Sequence, residues 1–409
     1  MISYLIVLLP ILFQFASPIS VLSLGELLLA FVVLKEVISR KGKFSLNRRD
    51  TWGLLSFYFV PVLLILAAIN NSYFEIAEAA TVVARIIFYY VLIIVALNKF
   101  NVNKAINLYF ILSCLACVYL LFQVVSHYVL HTDIPILVNY NDILFFKKTI
   151  TETARYYSHY GFRPSSFFIE PSFFADYMMP ISFIMLYKTD LYIFSKKMTI
   201  MNRIAYAILF SIAILLSTSS LGIVYICIVW GGFIFTNYSG IHINKEYKML
   251  TITVIFVLII YVLNSEVFSA SINRFLSGSS IGARVYRGFS IFANLNLHEI
   301  VFGVGLNNIG NFVKYNNITT IYDEIDLNYT VTLTNRLVAT GVVGTCSLFY
   351  FWFSQFLSKG KFGKIMLLAI MVSFIFANGE YTSGFPFFFI WMTLIDKSEM
   401  GRAYIGNKT

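Results

Sequence analysis

Residues 161–177 read GFRPSSFFIEPSFFADY, and the reading given to them decides what kind of chain this is. Arg163, Glu170 and Asp176 stand where a run of apolar residues long enough for a membrane helix begins. Pro171 suits the first turn of a helix, where its missing N–H costs nothing. Glu170 then falls at the cap, with its carboxylate facing the positive end of the helix dipole. Asp176 sits about 7 to 8 Å deeper, at roughly 1.5 Å per residue. Two readings compete. In one, Glu170 caps, Asp176 pairs with a neighbouring helix and Arg163 anchors at the headgroups. In the other, the three charges edge a catalytic site.

The rest of the chain sets the context. Of 409 residues, 59% are hydrophobic, 18% aromatic and 12% charged. Soluble domains carry about 25% charged residues, so the composition is that of a membrane protein. A span needs roughly 20 mostly apolar residues. Stretches at 3–17, 20–38, 53–70, 79–98, 105–128, 166–187, 203–217, 220–236, 249–264, 336–357, 364–378 and 383–396 qualify, which predicts an all-α polytopic protein of about twelve transmembrane helices forming one integral-membrane domain over 1–409. The pairs 203–217/220–236 and 364–378/383–396 read as hairpins. The first segment lacks a basic n-region and an equally apolar one follows it, so it reads as a span rather than a cleaved signal.

A net charge of +10 invites a nucleic-acid partner, but the placement of the basic residues excludes one. Lys35, Arg40, Lys41, Lys43, Arg48 and Arg49 surround one loop, and Lys99 and Lys104 a second. Lys188, Lys196, Lys197 and Arg203, then Lys245 and Lys248, then Lys359, Lys361 and Lys364, then Lys397, Arg402 and Lys408 follow. If twelve spans alternate, all of these lie on one side. That is the positive-inside rule, and it places both termini in the cytoplasm.

On the opposite side, two long segments, 129–165 and 265–335, retain apolar residues at intervals and read as folded external caps. Unstructured loops of such length are uncommon in compact domains unless functional. The second contains SIGARVYRGFSIFANLNLHEIVFGVGLNNIGNF (280–312), with Arg284 and Arg287 one turn apart on an amphipathic helix. Val285, Phe289, Ile291 and Phe292 are its expected apolar contacts. Gly303-Val304-Gly305 is a poor nucleotide fingerprint, but as a tight turn it is able to offer amides to a phosphate. Guanidinium groups suit phosphate through their forked donors, and headgroup anchoring is the competing reading for any one of these arginines. Glu26 and Arg85 fall inside spans at similar depth, as a structural ion pair or part of a site wall. The four cysteines lie in spans; Cys114 and Cys117 form a CxxC without His or carboxylate neighbours, and read as packing residues. No HExxH or GxSxG motif is present, so neither catalytic zinc nor a serine nucleophile is expected. External Tyr156, Tyr157 and Tyr160 read as interface packing with sugar stacking as the alternative.

Taken in order, these patterns resemble the O-antigen polymerase family, within the O-antigen ligase/polymerase superfamily of bacterial membrane glycosyltransferases. Arg163 through SSFFIEPSFFA is similar to the family's arginine followed by an E-P-S/T stretch. LLSTSSLGIVYI (215–226) resembles its small-polar turn between two spans, and Arg284 and Arg287 before VFGVGLNNIGNF its arginine-then-GxG segment. TNRLVATGVVG (334–344) looks like the start of the following span, and NGEYTSGFPFFFIWM (378–392) like the closing hairpin.

The resemblance implies a GT-C-like helical fold and an active site on the external face of the bacterial cytoplasmic membrane. The expected substrates are undecaprenyl-diphosphate-linked oligosaccharides, polymerised into O-antigen or capsule without a metal or other cofactor. A chain-length regulator is a candidate partner. Arg163, Arg284 and Arg287 would neutralise the departing diphosphate, with Arg85 and Arg336 as weaker candidates. Glu170, then Asp176, would serve as base or orienter at the acceptor hydroxyl. Ligases of the superfamily carry a histidine before Asn in the stretch leading to the late span; here that position is Thr334-Asn335, which weighs against a ligase or protein O-glycosylation. A ligase or related oligosaccharyltransferase remains the competing enzyme, and a flippase or exporter of lipid-linked oligosaccharide the competing class. Long external loops and the lack of a visible internal repeat weigh against alternating access.

Overall fold

The computed structural model describes residues 1–15, 17, 22–39, 44, 48–134, 162–188, 190–235, 281–319, 330–377, 379 and 381–406. They form α1 (Ile2–Leu12), α2 (Leu24–Ser39), α3 (Arg48–Ala68), α4 (Ile76–Lys99), α5 (Val102–Tyr128) and α6 (Pro171–Tyr187). A two-stranded hairpin follows, β1 (Tyr192–Ile193) with β2 (Lys196–Lys197), then α7 (Ile200–Leu216) and α8 (Ser220–Phe235). After these come α9 (Ile281–Phe292), α10 (Leu297–Phe302), α11 (Ile309–Tyr315), α12 (Thr332–Ser358), α13 (Lys361–Phe376) and α14 (Gly384–Gly406). Among the described residues, four helical stretches are long and apolar enough to cross a membrane: 50–68, 76–99, 102–128 and 332–358. The expected span 249–264, most of the segment 129–165 and part of 265–335 lie outside the described residues.

Helix α5 shows why lipid is the natural solvent for this chain. Ile111, Leu115, Val118, Phe122 and Val125 recur every three to four residues and all are exposed. The opposite face buries Tyr109, Phe110, Ser113, Cys117, Leu120 and Gln123. A helix at a protein–water boundary keeps its apolar stripe inward and its polar face outward. Here the outward face is itself apolar, which hydrocarbon accommodates and water does not.

The chain divides into two compact units, Met1–Val32 with Lys99–Asn273 and Trp391–Thr409, and Val33–Asn98 with Arg274–Ile390. In the first, α6 packs on α5, α7 and α8, and α1 on α5. From Phe174 to Tyr187 every residue of α6 except Asp176 is buried. Pro180 interrupts this helix, and the Tyr109 hydroxyl of α5 inserts there, donating to the Tyr177 carbonyl and accepting from the Ile181 amide at 3.2 Å. A side chain thus bridges the Tyr177 carbonyl and the Ile181 amide beside the proline. Arg203, one of the basic residues read as setting topology, is buried, and its Nε donates to the Met185 carbonyl at 2.7 Å. Lys188 is likewise buried, with its Nζ 3.9 Å from a Glu399 carboxylate oxygen.

In the second unit, α12 packs on α3, α9, α10 and α13. Phe57, Phe351, Phe374, Phe385 and Phe389 form its aromatic core. One end is closed by an ion pair, Lys359 Nζ to Asp50 Oδ1 at 2.9 Å, with both side chains 3% exposed. Asp50 lies in the first turn of α3 and Lys359 at the C-cap of α12, so each charge also faces the favourable end of a helix dipole.

Candidate functional site

Residues 163–170 have no repetitive structure, yet Pro164, Ser165, Ser166 and Phe168 are buried and none of the eight is exposed. Buried amides and carbonyls need partners. Two glutamines supply them. Gln123 of α5 accepts from the Ser166 amide at 2.9 Å and donates to the Ser166 carbonyl at 3.1 Å. Gln14, just beyond α1, accepts from the Ile169 amide and donates to the Phe167 carbonyl at 3.3 Å. Both glutamines are buried, and Ser166 is held at φ 58°. Neither glutamine carries a motif, so sequence reasoning missed them; a carboxamide with a donor and an acceptor inside an apolar helix is the signal that was there to use.

This strap, residues 163–170, carries two charges, Arg163 and Glu170, and α6 adds a third, Asp176. Glu170 takes the N-cap position of α6, with its carbonyl accepting from the Phe173 and Phe174 amides and Pro171 at the first helical position. Its carboxylate makes no capping bond to the helix, contrary to the expected capping role; instead it lies 3.4 Å from the Ser172 hydroxyl, a donor to it. The backbone at Glu170, φ −135° and ψ 148°, is the extended conformation usual at an N-cap, so the difference lies in the side chain, one methylene longer than the aspartate that caps well. Arg163 directs its guanidinium to the turn between α7 and α8. Its Nε donates to Thr218 Oγ1 at 3.3 Å, and an Nη contacts the Thr218 carbonyl at 3.5 Å. Thr218 sits at φ 57°, a left-handed conformation uncommon for a β-branched residue, and Ser217 and Ser219 beside it are buried. Such a conformation costs about 1–3 kcal/mol and persists only where the surroundings impose it. Asp176 accepts from the Tyr225 hydroxyl of α8 at 2.6 Å. The expected pairing of Asp176 with a neighbouring helix is therefore present, through a phenol. Gly222 allows this approach: a Cβ there would lie 2.5 Å from Ile214 and 3.1 Å from Ala175.

In the second unit, Arg284 and Arg287 fall one turn apart on α9, as the sequence predicts; the Arg284 side chain lies outside what is described. Arg287 is buried with Gly288 and Ile291, whereas Phe289, expected to pack inward, is exposed beside Tyr286. The helix turns this way because Gly288 is pressed against Thr334 of α12, where an added Cβ would come within 2.3 Å. Thr334, the position at which ligases carry histidine by the resemblance, is thereby enclosed under α9. Arg336 is fully buried, donating to the Phe57 carbonyl at 2.9 Å with its guanidinium 4.7 Å from the Phe57 ring and 5.3 Å from the Tyr381 ring. Its contacts are those of a core residue.

Gly303-Val304-Gly305 has a different role from the phosphate turn the sequence allowed. Its three amides donate to the carbonyls of Glu299, Val338 and Ala339 at 2.7, 3.0 and 2.9 Å. The last two carbonyls are released by a break in α12 at Gly341, where φ is 63° and ψ −166°. The segment seals a broken helix, and those amides are occupied. Next to it, Asn296 and Glu299 form a capping box, and Glu299 accepts from the Tyr73 hydroxyl at 2.8 Å. Burial, and then the Glu299 hydrogen bond and charge, push the Tyr73 phenol well above its usual range.

Glu26 belongs to the first unit and Arg85 to the second. Glu26 is the third residue of a capping box on α2: its carboxylate accepts from the Ser23 amide at 2.6 Å, and its own amide donates to Ser23 Oγ at 3.3 Å. Tyr156, Tyr157 and Tyr160 lie outside the described residues. Among the described residues, no three His, Cys, Asp or Glu side chains group as a metal site requires. The chain matches no protein-family model, and no curated protein is similar to it.

Proposed function

We propose that the protein is a membrane glycosyltransferase that polymerises undecaprenyl-diphosphate-linked oligosaccharide repeat units on the external face of the bacterial cytoplasmic membrane, through about twelve spans and a GT-C-like fold. One observation carries this reading: the separate sequence patterns that carry the resemblance touch one another. In the first unit, Arg163 and its E-P-S stretch meet the STSS turn at Thr218 and, through Asp176, Tyr225. In the second, the arginine-then-GxG segment binds the TNRLVATG segment through Gly288–Thr334 and Val304–Val338. Thr332, two residues before that segment, meets the start of the closing hairpin: its Oγ1 accepts from the Gly379 amide at 3.0 Å, and its amide donates to the Ala377 carbonyl, one residue before the hairpin pattern, at 2.9 Å. Chance matches scattered along an apolar chain have no reason to pair in this way.

In this reading Arg163, partly accessible and aimed at a strained polar turn, offers its fork to the departing diphosphate. By the resemblance Arg284 is a second candidate for that role, and the burial of Arg287 and Arg336 fits support rather than contact. The test is reconstitution of the purified protein in lipid vesicles with defined lipid-diphosphate-linked repeat units, reading polymer length. Wild type is expected to build polymer and Arg163→Ala to lose it. Movement of lipid-linked sugar across the vesicle without polymer overturns the reading in favour of an exporter.

A further inference from the structure

A histidine and a carboxylate meet at the C-terminal end of α5. After α5 the backbone reverses tightly: the Leu130 and Thr132 amides both donate to the Ser126 carbonyl, and His131 adopts φ 51°. This reversal returns Asp133 onto the last turn of α5, where its Oδ1 lies 2.5 Å from Nδ1 of His127. The imidazole lies flat on the Phe162 ring, centroids 3.8 Å apart and planes 4° from parallel, and Tyr128 stands edge-on to both. Phe162 is the residue immediately before Arg163. The ring is thus fixed along one edge by a carboxylate and across one face by the strap that carries the arginine, while the side chain stays 31% exposed.

We propose that His127 is the general base of the transfer, with Asp133 setting its tautomer; this rests on the glycosyl-transfer reading above. With Nδ1–H donated to Asp133, Nε2 keeps its lone pair, the arrangement in which an imidazole accepts a proton. The two carboxylates marked from the sequence each hold a local hydroxyl, Asp176 from Tyr225 and Glu170 from Ser172. In the step, the acceptor hydroxyl passes its proton to His127 Nε2 as its oxygen bonds the anomeric carbon of the donor sugar. The bond from that carbon to the diphosphate oxygen breaks, and its electron pair leaves with the diphosphate. The imidazolium pairs with Asp133 until the proton passes to water.

The experiment compares wild type, His127→Phe, His127→Gln, Asp133→Asn and Glu170→Gln in the vesicle assay across pH 5–9. His127→Phe keeps a ring to stack on Phe162 and removes the base. It is expected to unfold at the wild-type temperature, to lower kcat about 10²–10⁴-fold with KM for the donor unchanged, and to lose the fall in rate at acid pH. His127→Gln is expected to match it in rate, and Asp133→Asn to fall between. Wild-type turnover by His127→Phe would reduce the residue to packing and overturn the proposal. So would an acid limb that persists in His127→Phe and disappears in Glu170→Gln. Wild-type transfer to a hydroxyl acceptor other than a repeat unit overturns polymerisation alone, and the same comparison then decides the base. Absence of wild-type transfer to any hydroxyl acceptor overturns both.

Discussion

The two units each enclose a stretch of irregular backbone, and they solve the same problem by opposite means. At 163–170 the backbone is satisfied by side chains, Gln14 and Gln123, reaching in from segments distant in sequence. At 303–305 it is satisfied by backbone alone, through carbonyls that α12 releases at Gly341. The glycine solution depends on close approach: a Cβ on Gly303 would meet the Ala339 carbonyl at 2.3 Å, and one on Gly341 the Val301 carbonyl at 2.4 Å. The glutamine solution leaves room for a side chain at every position. It therefore tolerates an arginine, a glutamate and a serine at φ 58° on the strap. The arginines differ in parallel: Arg163 reaches a polar turn and stays partly accessible, whereas Arg336 is sealed between Phe57 and Tyr381.

Substitutions that attack each solution separately test this contrast. The largest effect is expected at Gly303→Val, which places a branched side chain on a carbonyl at φ 84°. The loss should exceed about 4 kcal/mol, so that no monodisperse protein is recovered on size exclusion in detergent. Next is Arg163→Ala, expected to cut polymer formation about 10²–10³-fold, the scale for removing one stabiliser of developing charge, with an unchanged unfolding temperature. Arg163→Lys should recover part of that loss, since it restores the charge without the fork. Arg336→Met should behave in reverse, lowering the unfolding temperature while the residual folded protein stays active. Gln123→Ala removes both partners of Ser166 and should cost about 1–3 kcal/mol, read by thermal unfolding in detergent. The smallest effect is expected at Thr218→Val, which deletes the hydroxyl that accepts from Arg163. A change of about 0.5–1.5 kcal/mol in activation free energy, read as a severalfold lower rate, would mark that bond as a positioning contact.

Much of the helical framework was legible because its signal is local. Pro171 announced the start of α6, and apolar runs announced the helices, since hydrophobicity and proline geometry act over a few residues. Glycines 303, 305 and 341 were visible as glycines, but not as one device. Their meaning lies in a backbone bond between segments more than thirty residues apart. The amides of 303–305 looked available in sequence and are occupied in the fold. Basic residues misled in a similar way: Lys188, Arg203 and Lys359 all sit at helix ends, as their loop positions predict, yet they are buried against partners.

By itself, then, the sequence determined a helical chain with an apolar exterior and named the arginines and carboxylates where charge meets that exterior. It did so because composition and periodicity follow from the solvent each face requires. Only the tertiary structure decided which of those charges stay accessible and which are sealed. It set Arg163 on Thr218, Asp176 on Tyr225 and His127 between Asp133 and Phe162, while burying Arg287 and Arg336. The physical reason is range. Burial and hydrogen-bond partners of a polar group are set by whatever packs across from it, and for Arg163 and Asp176 those partners are 55 and 49 residues away in sequence.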